Sequence, residues 1–195
     1  MQILSTHTHH GGTFVTFTYL APVLQQITGF SASAVSLVLV LYGLAIAAGN
    51  IAGGKVADRN PVKALSWLFA AQALVLALFS LTAPSPVLAL VTLAALGFLS
   101  FANVPGLQLY VVELAKRHRP AAVDVASALN IAAFNLGIAA GAWIGGLVVA
   151  SPLGLGATPW VGALLVAGAL ALTRLSARLD RRDDEGAPAG CGQLA

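Results

Sequence analysis

The residues of this 195-residue chain that could do chemistry are amides and phenols set inside apolar runs: Tyr19, Gln25, Tyr42, Asn50, Asn103, Gln108, Asn130 and Asn135. Neutral groups of this kind can hydrogen-bond a polar solute, and they can equally bond one another. Left facing lipid, an amide has unmatched donors and acceptors at a cost on the order of 1 to 3 kcal/mol, so these side chains are expected to face other helices or a wet cavity. No Asp, Glu, Lys or Arg stands near the middle of any apolar run, so a proton relay or a charged-substrate site would find no ionisable residue there. Paired acids, a His and Glu at metal-ligand spacing within a run, and a serine with a base are all missing. That argues against an enzyme.

The elements that position these residues follow from composition. The chain is 58% hydrophobic and 9% charged, against about 25% charged in a soluble domain, so lipid replaces water around most of it. With about 20 apolar residues needed to cross the hydrocarbon, the sequence predicts an all-α integral membrane protein of six spans over 13–28, 34–54, 64–82, 87–114, 125–150 and 160–176. An N-terminal tail over 1–12 and a disordered cytoplasmic tail over 177–195 flank them. The first run is short and more polar than the rest. Met1 to Gly12 lacks the basic start of a cleaved signal peptide, so the first span is expected to be retained.

All ten Lys and Arg residues fall in three places, after the second and fourth runs and at the end of the sixth, while the other connections carry none. Basic loops remain cytoplasmic, which places both termini inside. Clustered bases between apolar runs do not form a nucleic-acid surface. Cys191 is the single cysteine and cannot form an intrachain disulfide. His7, His9 and His10 lack a fourth ligand in register, so no metal or other cofactor is expected.

The polar census separates the runs. The first, second, fourth and fifth hold most of the amides and tyrosines, whereas the third has Gln72 and the sixth only Thr173. The first, second, fourth and fifth are therefore expected to enclose a cavity, and the third and sixth to face lipid. Gly49 and Gly53, and the ladder Gly137, Gly141, Gly145 with Gly146, permit close helix approach. Close packing accounts for such ladders as well as sliding does. Asn103-Val104-Pro105-Gly106 interrupts the long fourth run, where Pro105 removes a backbone bond and a kink is expected. Glu113 lies one turn before Lys116 and Arg117, a structural helix pairing.

The loop Gly54-Lys55-Val56-Ala57-Asp58-Arg59-Asn60-Pro61-Val62-Lys63 resembles the G-x-L-A-D-R-x-G-R-K signature of the major facilitator superfamily. Asp58, Arg59 and Lys63 match it, while Pro61 and Val62 depart from it. Thr18-Tyr19-Leu20-Ala21-Pro22, Gly49-Asn50-Ile51-Ala52-Gly53-Gly54 and the stretch from Ser127 to Gly137 are similar to the C-terminal six helices of the drug and sugar exporters typified by the arabinose efflux permease. Gly141-Ala142-Trp143-Ile144-Gly145-Gly146 resembles the repeat-related antiporter run, with Ala142 in place of proline.

The resemblance implies a small-molecule exporter of the proton-antiport type in a bacterial inner membrane, with Gly54, Asp58, Arg59 and Lys63 as a conformational latch. It also implies that the chain is one six-helix half of a twelve-helix fold. Its partners would be the lipid bilayer, a small-molecule substrate, and a second six-helix half or further copies of itself. The competing expectation is a non-transporting membrane fragment or assembly partner that lacks the N-terminal half.

Overall fold

A computed structural model describes residues 11–57 and 61–186; all described secondary structure is helical. The helices are α1 (residues 11–17), α2 (Leu20–Gln26), α3 (Ala32–Ala57), α4 (Pro61–Thr82), α5 (Pro86–Ala102), α6 (Val104–His118), α7 (Val123–Ala150) and α8 (Thr158–Gly186). Among the described residues, five stretches are long and apolar enough to cross a bilayer: Ala32–Lys55, Leu65–Thr82, Pro86–His118, Pro120–Ala150 and Leu155–Leu172; the expected first span, which holds the short α1 and α2, is not one of them. At 1.5 Å per residue, the 28 residues of α7 extend about 42 Å, more than the hydrocarbon thickness.

Prolines set several helix starts. Pro86 and Pro105 occupy the first turns of α5 and α6, where a missing N–H costs nothing because no intrahelical partner exists. Two long helices are interrupted. The first breaks at Thr18–Tyr19, with Tyr19 N–H bonding the Thr16 carbonyl at 3.2 Å, and Pro22 supplies no donor to the preceding turn. The fourth breaks at Asn103, two residues before Pro105. After α2, Gly29 adopts φ +82°, a conformation suited to glycine, and Phe30 N–H turns back to the Leu24 carbonyl at 2.9 Å.

The core lies where α4 packs along α8 and α5 packs against both α3 and α4. Leu65, Phe69, Leu76 and Phe79 of α4 recur at helical spacing, and each is at most 1% exposed. From α8, Ala163 and Val166 complete the same cluster, joined by Leu20 and Leu24 of α2 and Leu93 and Leu96 of α5. The third and sixth helices, expected to face lipid, also pack inward. Their inner faces build the core, although Trp67 at 77% exposure and Leu164 at 70% point away from it. A census of polar residues passes over such faces because burial follows bulk and periodicity as well as polarity.

The helix bounds depart from the sequence expectation at several places. Gly11 and Gly12 are already helical and buried. The fourth run extends from Pro86 to His118 in two pieces. The last helix begins at Thr158 and continues to Gly186, so helix replaces the expected disorder over 177–186. Its Ala, Arg and Leu residues are good helix formers with no proline among them to end the helix. His7, His9, His10, Asp58, Arg59 and Cys191 lie outside the described residues.

Glycine contacts fix the closest helix approaches. A Cβ on Gly49 would lie 1.8 Å from the Phe98 carbonyl oxygen, and one on Gly53 would lie 1.8 Å from that of Ala102. On the other side of the bundle, Gly141 meets the backbone of Gly11, and Gly145 meets the Tyr19 ring and the Val15 carbonyl. Gly162 of α8 approaches Gly12 of α1 in the same way.

Candidate functional site

Polar side chains gather in three groups, each made by two or more helices. The deepest runs from α1 through α4 to the break in the fourth span. Gln72 Nε2 donates to Thr13 Oγ1 at 2.7 Å, and Asn103 Nδ2 lies 3.5 Å from Gln72 Oε1. Gln72 and Asn103 are completely buried and Thr13 nearly so. Asn103 Nδ2 also reaches the Ser100 carbonyl at 3.4 Å, so this amide ties the helix break to the core.

The second group joins α6 to α7. Asn130 Nδ2 donates to Gln108 Oε1 at 2.8 Å, and Gln108 Nε2 donates to Ser127 Oγ. Asn130 is buried, while Gln108 and Ser127 are half-buried, so part of this amide pair remains reachable. In the third group, the buried Tyr42 hydroxyl lies 3.3 Å from Ser100 Oγ, which donates in turn to the Leu96 carbonyl.

The remaining sequence candidates stand apart. Tyr19 donates to the Ala142 carbonyl at 3.3 Å and rests on Gly145 and Gly146, which makes it a packing bridge between the first and fifth spans. Gln25, Asn50 and Asn135 are exposed, and Asn135 bonds the Ile131 carbonyl of its own helix at 3.0 Å. Gly137 is buried on the inner face of α7. Gly54, at the end of α3, is half-buried and in ordinary contact with Pro105. Of the latch residues, Lys63 lies in the first turn of α4.

Aromatic residues that the polar census did not select stand beside these groups. Phe14, Phe17, Phe101 and Phe134 come from the first, fourth and fifth spans, and each packs on another ring. Their presence in three of the four spans rich in amides was the available signal. Glu113 lies five residues before the end of α6 and Asp124 in the first turn of α7, and both are exposed. Amides, hydroxyls and rings of this kind can hold a solute by hydrogen bonding and stacking.

Residues 3–191 match the profile of the family described as the Major Facilitator Superfamily. The chain is 56% identical over 142 residues to an uncharacterized MFS-type transporter, YtbD, of Bacillus subtilis (strain 168), covering 73% of this chain and 36% of that protein. It is 36% identical over 149 residues to the inner membrane transport protein YdhP of Escherichia coli (strain K12), covering 76% and 37%. A probable sugar efflux transporter of Helicobacter acinonychis (strain Sheeba) is 36% identical over 149 residues, covering 71% and 34%. The chain spans about a third of the length of these curated relatives.

Proposed function

This chain belongs to the major facilitator superfamily, and from that membership we propose that it is the C-terminal six-helix half of a solute exporter. The observation that carries this reading is the amide pair of half-buried Gln108 and buried Asn130, which joins α7 to the helix that follows the break at Asn103. Interrupted helices beside uncharged donors are the usual setting of a midplane solute site in transporters. The reaction is translocation, with no bond made or broken in the solute.

In this reading the second six-helix unit closes the open side of the site. Exposed Asn50 and Asn135, on α3 and α7, face that unit or the solute. The two halves rock about the midplane, and the glycine contacts of α3 with α5 and of α7 with α1 keep this half rigid during the motion. A proton moving opposite to the solute would use acids of the other unit, because the middle turns of these spans contain none. The membrane is a bacterial inner membrane, with both termini on the cytoplasmic side. The latch of Gly54, Asp58, Arg59 and Lys63 then holds one conformation.

Flux tests the proposal. The chain would be reconstituted with the N-terminal six helices of the Bacillus subtilis relative, and efflux of labelled arabinose and of a neutral drug-like dye followed under an imposed pH gradient. Gradient-driven efflux of either solute by the pair, with none from either half alone, is the expected result. No flux from the pair, once both halves are shown to be inserted and associated, would leave a non-transporting membrane protein.

A further inference from the structure

Five rings from four helices form a continuous row. Tyr42 of α3 stacks on Phe17 of α1 with centroids 5.6 Å apart and planes inclined at 23°. Phe17 meets Phe14 edge-on at 5.4 Å, Phe14 meets Phe101 of α5 at 6.5 Å, and Phe101 meets Phe134 of α7 at 6.2 Å.

Packing alone does not account for where this row lies. Tyr42 belongs to the buried hydrophobic cluster, but none of the four phenylalanines does. Phe17 is 38% exposed, and Phe14, Phe101 and Phe134 are half-buried. The row also borders both helix breaks: Phe17 precedes Thr18–Tyr19, and Phe101 lies two residues before Asn103. Its last ring stands beside the amide pair, since Asn130 precedes Phe134 by four residues on α7, one turn or about 6 Å along the same helix face.

We propose that this row is a recognition strip for a neutral solute that carries a flat ring face and hydroxyl groups. The ring face rests on Phe17, Phe101 and Phe134, and the hydroxyls bond the amides of Gln108 and Asn130. The inference rests on the transport reading and adds the class of solute. Phenyl rings offer flat apolar surface, and the amides offer both donors and acceptors. A cation would have ring faces and neutral amide oxygens as partners on this strip, and these compensate a desolvated charge far less than a carboxylate does. An anion would meet the rings' negative faces.

Binding can be read without transport. The chain in lipid nanodiscs would be photolabelled with a diazirine derivative of phenyl β-glucoside, with four competitors: methyl glucoside, benzyl alcohol, phenyl phosphate and tetraphenylphosphonium. Competition by methyl glucoside identifies a sugar ring and competition by benzyl alcohol an aryl ring; either supports the strip. Phe17→Leu and Phe134→Leu should each weaken labelling roughly fivefold or more. Phe134→Trp should retain it, as should Trp67→Leu on the outward side of α4.

Stronger competition by either charged compound, or unchanged labelling in folded Phe17→Leu and Phe134→Leu, overturns the proposal. If the leucine variants do not fold, the competition series decides. Phenylalanine-dependent labelling without flux in the reconstituted pair would defeat the transport reading and leave the strip standing. Flux of a charged solute indifferent to both substitutions would do the reverse.

Discussion

Gly49 and Phe98 meet backbone to backbone, so closely that a Cβ at position 49 would lie 1.8 Å from the Phe98 carbonyl oxygen. No side chain can swing aside there, because the obstacle is main chain. Gly49→Ala should therefore force α3 away from α5 and cost about 1 to 3 kcal/mol, as overpacking does. Gly53→Ala should behave alike, since it faces the Ala102 carbonyl at the same distance. Gly43→Ala, with nothing within 4 Å of its added Cβ, should stay within about 0.5 kcal/mol of the parent. Thermal unfolding of the three variants in detergent checks the contrast, and equal losses at positions 43 and 49 would refute the contact.

Gln72 and Thr13 should prove energetically coupled. Their 2.7 Å bond is buried and joins the first span to the third. A double-mutant cycle with Gln72→Leu and Thr13→Val should give a coupling of about 0.6 to 1.7 kcal/mol, the range of interhelical hydrogen bonds in membranes. Gln72→Leu alone should lose more than the coupling energy, because Asn103 also loses the neighbouring Oε1.

Asn130 and Asn135 are both on α7 and should respond differently. Asn130 is bonded to Gln108 across helices, whereas Asn135 is exposed and bonded to its own helix. Asn130→Ala should lower flux through the reconstituted pair about tenfold, a loss of about 1.4 kcal/mol. Asn135→Ala should leave the stability of the chain within about 0.5 kcal/mol of the parent. Initial efflux rates and detergent melting curves distinguish the two.

How much of this was legible in the sequence differs by feature. Long apolar helices were readable because the membrane's thickness imposes a length that hydropathy reveals directly. Pro105 marked the interruption in the fourth span, and Pro22 offered the same signal for the first, where it was not read. The burial of Gln72 was hidden: a single amide among Leu65, Phe69, Leu76 and Phe79 is a minor mark in a census of polar groups. Only the helical spacing of its bulky neighbours shows that this face turns inward. Phe101 and Phe134 were overlooked for the opposite reason, since an apolar ring in an apolar span carries no mark of its own until its neighbours from other helices are known. Which amides pair across helices, as Gln108 does with Asn130, depends on the rotation of α6 after its break at Asn103, and spacing along one chain does not fix that rotation.

The claim on which everything else depends is that the chain crosses the bilayer repeatedly, with its basic loops on one side. Single cysteines at the exposed positions Pro84 and Arg117, in a Cys191→Ser background, would be challenged with a membrane-impermeant maleimide in intact cells and in inverted vesicles. Position 84 should label only from outside and position 117 only from the cytoplasmic face. Labelling of both positions from the same face would contradict the account.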